Sequence, residues 1–145
     1  MVIEESSVVA AASSSARFWS EHGGFKAEIK SVVKIGQVHF LWEGDFKKLE
    51  FSFDELKMYL RERTKEITAK MDSRGGGILD IELIDMREKI DNYYQLRASF
   101  DTRDSMGANF INSCLEEFAA AMEDFFVKKD IFKGKEKDCN IIMSI

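Results

Sequence analysis

The chain predicts an α+β fold, an antiparallel sheet with two helices on one face, preceded by a further helix. Three observations carry this. Runs of period-2 and of three- to four-residue hydrophobic spacing succeed one another as β-α-β-β-α-β from Val32 onward. Glycine-rich or charged stretches separate those runs. The 145 residues are 45% hydrophobic, with 12 Phe, enough for one packed core. This element order is the ferredoxin-like split βαβ arrangement.

The elements follow in turn. Ser7 to His22 carries Val8, Val9, Ala12, Ala16 and Trp19 on one side and stops at Gly23-Gly24, a helix with a C-terminal glycine signal. Phe25 to Lys30 and Val32 to Glu43 are β-rich runs, with a bend or bulge expected near Gly36. Ser52-Phe53-Asp54-Glu55 fits a capping box, opening a helix that buries Leu56, Leu60, Ile67 and Met71 and ends before Gly75-Gly76-Gly77. Leu79, Ile81 and Leu83 alternate with Asp80 and Glu82, a strand, and Arg87 to Asn92 turns into the next one. There Tyr94, Leu96, Ala98 and Phe100 form the buried face. Phe110, Ile111, Cys114, Leu115, Phe118, Met122 and Phe125 mark the last helix, from Gly107 to about Val127, before a lysine-rich loop and a terminal strand.

A net charge of −5 with interspersed cations disfavours a nucleic-acid partner. Cys114 and Cys139 lie in unlike settings with no CxxC, which reads as reduced packing residues in a cytoplasmic protein. His22 and His39 lack partners at metal-ligand spacing, so no metal site is expected. No apolar run approaches the roughly 20 residues needed to cross a bilayer. A helix starting almost at once and a strand at the other end give the expectation of a piece of a longer protein.

Asp101-Thr-Arg-Asp-Ser-Met-Gly-Ala-Asn109 joins a strand to a helix, the place where such folds bind anions. Asp104 or Ser105 can cap that helix, and Gly107 lets a ligand approach first-turn amides. Taken alone, the stretch is a helix cap, and Gly75-Gly76-Gly77 is a helix-to-strand turn.

Three motifs together resemble the 3-hydroxy-3-methylglutaryl-CoA reductases, most closely the bacterial class II type. They are Glu4-Glu5-Ser6-Ser7-Val8-Val9-Ala10-Ala11-Ala12, then Gly75-Gly76-Gly77 with Asp80-Ile81-Glu82, and Asp104-Ser105-Met106-Gly107-Ala108-Asn109, close to the family's DAMGAN with Ser105 for Ala. The resemblance implies that residues 31–145 are most of a small domain binding a nicotinamide dinucleotide. Residues 1–30 would then come from the large domain that binds HMG-CoA. It also implies a homodimer whose active site draws on both subunits.

The family's catalytic glutamate maps onto Glu5, with Glu4 its neighbour, and its lysine, aspartate and histidine would lie beyond Ile145. The reaction so implied interconverts HMG-CoA with mevalonate and CoA by two hydride transfers. A lone Glu5 cannot carry it, because the carbonyl oxygen needs a cation and the departing thiolate an acid. Asp104 to Asn109 are the expected dinucleotide contacts. At the position where NAD-dependent members hold an acid, this chain has Thr68, with Lys70 two further on, which implies NADPH over NADH. Two other readings compete: a stand-alone ferredoxin-like module for a small effector or a partner, and an RNA-binding sheet using Tyr93 and Arg97.

Overall fold

The computed structural model describes residues 6–145 and divides into two compact units, Met1–Ser31 and Val32–Ile145. In the first unit, α1 (Ser6–Glu21) buries none of its described residues. It closes on left-handed Gly23 and Gly24, whose turn returns the Gly24 amide to the Trp19 carbonyl at 2.7 Å. The β-rich run Phe25 to Lys30, expected to be a strand, forms none: β propensity does not make a strand without a partner edge.

The second unit holds β1 (Lys34–Trp42), α2 (Phe46–Arg63), α3 (Lys65–Asp72), β2 (Gly77–Asp85), β3 (Tyr93–Asp101), α4 (Ala108–Lys128) and β4 (Cys139–Ser144). The four strands form one antiparallel sheet in the order β2-β3-β1-β4, so β3 is inserted between β1 and β2 as the split βαβ arrangement requires. Val38, Phe40 and Trp42 of β1 and Tyr94, Leu96, Ala98 and Phe100 of β3 point to one face and are buried. Against them pack Leu49, Leu56 and Leu60 of α2 and Ile111, Cys114, Leu115, Phe118, Met122 and Phe126 of α4. Burial raises the Cys114 thiol pKa to about 12 and also pushes that of Cys139 up, so both are inert packing groups.

Four local expectations are corrected. The first long helix begins at Phe46, capped by the Asp45 carboxylate, which accepts from the Lys47 amide at 3.0 Å. Ser52, read as the cap, is buried within α2, because the apolar spacing extends upstream through Leu49 and Phe46. That helix then breaks at Thr64, whose hydroxyl turns back to the Leu60 carbonyl at 2.8 Å and separates α2 from α3. Gly36 makes no bend: β1 runs through it in register with Ala98. A Cβ there would stand 2.8 Å from Leu115, so the glycine admits α4 close to the sheet. In β2 the pairing skips between Ile78 and Asp80, leaving Leu79 as the extra residue of a bulge. Leu79 is therefore exposed, and Ile78 takes the inward place beside buried Ile81.

The opposite sheet face carries a directed hydrogen-bond chain. The Gln37 amide donates to Gln95 at 3.2 Å, the Gln95 amide to the Tyr93 hydroxyl at 2.9 Å, and that hydroxyl meets His39 Nδ1 at 2.5 Å. With the tyrosine proton given to Nδ1, the ring is neutral and Nε2 holds its hydrogen, buried without a partner. Loss of solvation holds the His39 pKa below its ordinary 6.5. The unfolded chain then takes up the proton first, so the stabilisation is complete above pH 6.5 and is lost as pH falls through the folded-state value. Urea midpoints taken at about pH 5 and about pH 7.5 are expected to fall toward acid less for His39→Gln than for the parent. An equal fall in both would remove His39 from that dependence. Tyr93 is thus engaged with His39, and Arg97 sits 3.9 Å from Glu82, so the aromatic and the cation named in the RNA-binding reading both have partners within the sheet.

Candidate functional site

The site is built where β3 hands the chain to α4. At the end of β3, the Asp101 carboxylate accepts from the Arg103 amide at 2.8 Å, which turns Arg103 into the left-handed region at φ 52°. Thr102 is buried, and its hydroxyl donates to the Ser105 carbonyl while the Ser105 hydroxyl donates to the Thr102 carbonyl, both at 2.7 Å. This closed ring corrects the capping expectation: neither Asp104 nor Ser105 caps α4. The cap position is Gly107, at φ 76°, and no side chain satisfies the first amides of the helix. A Cβ on Gly107 would lie 2.3 Å from Thr102 Cγ2, so its missing side chain makes room for Thr102.

Asp104, Ser105, Met106, Ala108 and Asn109 are exposed around this turn. Asp104 and Ser105 border a depression of about 460 Å³ with Thr102, Arg103 and Arg74. Asn109 borders a second, of about 350 Å³, with Phe110, Ser113, Ile67, Lys70, Met71 and again Arg74. Arg74 therefore links the start of α4 to the end of α3. The structure brings Lys70 to this groove but not Thr68, which is buried and donates its hydroxyl to the Asp72 carboxylate at 2.6 Å.

Two cations define the electrostatics. Among the described residues, Lys70 and Arg74 form no ion pair, whereas Arg103 stands 3.5 Å from Asp101; the Asp104 carboxylate on the rim beside Arg74 forms none either. Lys70 stands in the last turn of α3 and Arg74 in the turn that follows it, two like charges on one edge of the groove. Together with the unsatisfied amides and the positive dipole end of α4, they make this a groove for an anion. Arg74 was not read from the sequence; the signal was its spacing from Lys70 immediately before the glycine run. Glu5, the expected catalytic acid, lies outside the described residues. No group of metal-ligating side chains occurs among the described residues.

Fold and groove together define an α+β domain of the split βαβ class with an anion-suited strand-to-helix junction. The chain belongs to the hydroxymethylglutaryl-coenzyme A reductase family, whose sequence model matches residues 1–136. It is 33% identical to the 3-hydroxy-3-methylglutaryl-coenzyme A reductase of Archaeoglobus fulgidus over 85% of this chain and 28% of that protein. A probable reductase of the same kind from Borreliella burgdorferi is 31% identical over 80% of this chain and 26% of its own length. Among solved structures, the class II reductase of Streptococcus pneumoniae bound to NADPH in open conformations superposes with a TM-score of 0.60 at 28% identity, covering 99% of this chain and 36% of that one. A second structure of the Streptococcus pneumoniae reductase gives 0.53 at 27% identity, covering 99% and 36%. The chain thus spans about a quarter of the curated relatives and about a third of these solved chains.

Proposed function

We propose that this chain is the dinucleotide-binding part of a class II hydroxymethylglutaryl-CoA reductase and that it takes NADPH. The observation that carries the reading is the pair of unpaired cations, Lys70 and Arg74, on a groove that also opens onto Asn109 at the start of α4. A 2′-phosphate supplies the counter-charge they lack. Arg74 offers a two-pronged donor and Lys70 a point charge. Because Thr68 is committed to Asp72, its expected part in that contact passes to Arg74. The first-turn amides of α4 and the Asn109 carboxamide are the donors for the bridging phosphates.

When bound, NADPH supplies the hydride for each of the two reductions between HMG-CoA and mevalonate. In this reading Glu5 is the proton donor, a role requiring a raised pKa through burial or neighbouring charge. HMG-CoA contacts, the homodimer and cytoplasmic residence belong to the same proposal.

Calorimetric titration of the 145-residue chain with each dinucleotide tests the cofactor. NADPH is expected to bind at least about tenfold more tightly than NADH, since a charge-assisted hydrogen bond contributes about 1.5–3 kcal/mol. Lys70→Ala and Arg74→Ala are each expected to narrow that ratio by weakening NADPH and leaving NADH nearly unchanged. NADH binding as tight as NADPH would overturn the assignment.

A further inference from the structure

We infer that Arg103 is a positioning residue that ties the triple-glycine turn to the start of α4 and thereby holds Arg74 over the groove. The inference rests on the dinucleotide reading above and adds to it how the two halves of the groove are kept in register. The guanidinium reaches from the strand-to-helix turn to donate to the Gly75 carbonyl. It also stands 3.5 Å from the Asp101 carboxylate, which holds the Arg103 amide as well. One carboxylate thus fixes the backbone and the side chain of the same residue.

Each glycine of the turn has a close neighbour, and at Gly76 that neighbour is the rigid backbone of Asp101. A Cβ on Gly75 would lie 2.6 Å from the Arg103 guanidinium, on Gly76 2.5 Å from the Asp101 carbonyl, and on Gly77 2.1 Å from the Asp72 carboxylate. Two of the three contacts come from the Asp101 to Arg103 segment. Arg74 immediately precedes this turn, and its amide is held by the Met71 carbonyl at 3.0 Å. The link through Arg103 is what connects the turn to the 101–105 segment by a side chain. The Gly75 carbonyl and the Asp101 carboxylate together hold this non-glycine residue at positive φ.

The local backbone supplies a clean test. Asparagine adopts the left-handed region readily, so Arg103→Asn relieves the backbone while deleting the reach to Gly75. Arg103→Lys keeps the charge but loses the fork. In the full chain, both variants are expected to weaken NADPH binding by about tenfold. Amide hydrogen exchange at Gly75, Gly76 and Gly77 is expected to rise about tenfold, with exchange beyond Ile111 in α4 unchanged.

A purely electrostatic role would be rescued by Arg103→Lys and would leave the glycine amides protected, and that result would overturn the inference. Parent-like affinity in Arg103→Asn would overturn it too. Failure of the dinucleotide reading looks different: the parent chain itself would show no titration with NADPH, while the exchange experiment would still report on the latch.

Discussion

Trp42→Ala is expected to remove about 4–6 kcal/mol of unfolding free energy, combining the 3–5 typical of a large aromatic truncated in a core with the loss of a hydrogen bond. The indole is almost fully buried at the end of β1, with ring centroids 5.4 Å from Phe126, 5.6 Å from Phe132 and 6.2 Å from Tyr94. Its Nε1 donates to the Glu136 carbonyl at 2.7 Å, which fastens the short 3₁₀ turn Gly134–Lys137 over the core. Alanine would leave a cavity that Phe40 and Phe126 cannot close, together with a carbonyl stripped of its donor. Against a typical domain total of about 5–15 kcal/mol, such a loss removes a large share of the stability. Urea unfolding followed by circular dichroism reads the loss directly. Trp42→Phe is expected to recover most of it, falling short by about 1–2 kcal/mol for the missing donor. Equal stability of Trp42→Ala and the parent would show that this end of the core contributes little.

How far these features were legible depends on how many residues had to agree. The inward face of β3 was readable because Tyr94, Leu96, Ala98 and Phe100 repeat without interruption, and the order of elements gave the sheet its topology. Leu79 was misread since one bulge residue reverses the alternation behind it, and nothing in the local sequence marks a bulge. The Ser52 capping box failed for a related reason: Asp45 caps equally well, and only packing of Leu49 and Phe46 shows which start the core uses.

The groove was legible as a location and less so as chemistry. Motif order placed the strand-to-helix junction, and Lys70 fell on its edge. Thr68 did not, because it falls on the buried stripe that Leu56, Leu60 and Met71 mark, where its hydroxyl donates to Asp72. Arg74 and Arg103 were left as charges near a motif. Their meaning comes from which charges remain unpaired and which carbonyl a guanidinium reaches, both properties of the folded chain.

Gly107 separates two accounts of the junction by experiment. If its missing side chain served only to let a ligand approach the helix, Gly107→Ala would lower dinucleotide affinity and leave stability intact. The structure requires both to fall. Alanine would have to hold φ near 76°, at about 1–3 kcal/mol for a non-glycine residue, and its Cβ would intrude on Thr102, at about 1–3 kcal/mol more for an overpacked site. Moving Thr102 would also open the ring it closes with Ser105 and shift the first-turn amides of α4. Gly107→Ala is therefore expected to lose about 2–6 kcal/mol in urea unfolding. NADPH binding should weaken by about tenfold or more, since a displacement near 1 Å of positioned donors can cost up to a hundredfold. Adding Thr102→Ala removes the Cγ2 and Oγ1 contacts but leaves the Cβ at position 102 within 2.6 Å and the backbone strain in place. The double variant is therefore expected to be only partly relieved, still more stable than the sum of the two single losses allows. Strict additivity would mean that Thr102 and Gly107 do not share the space the structure gives them.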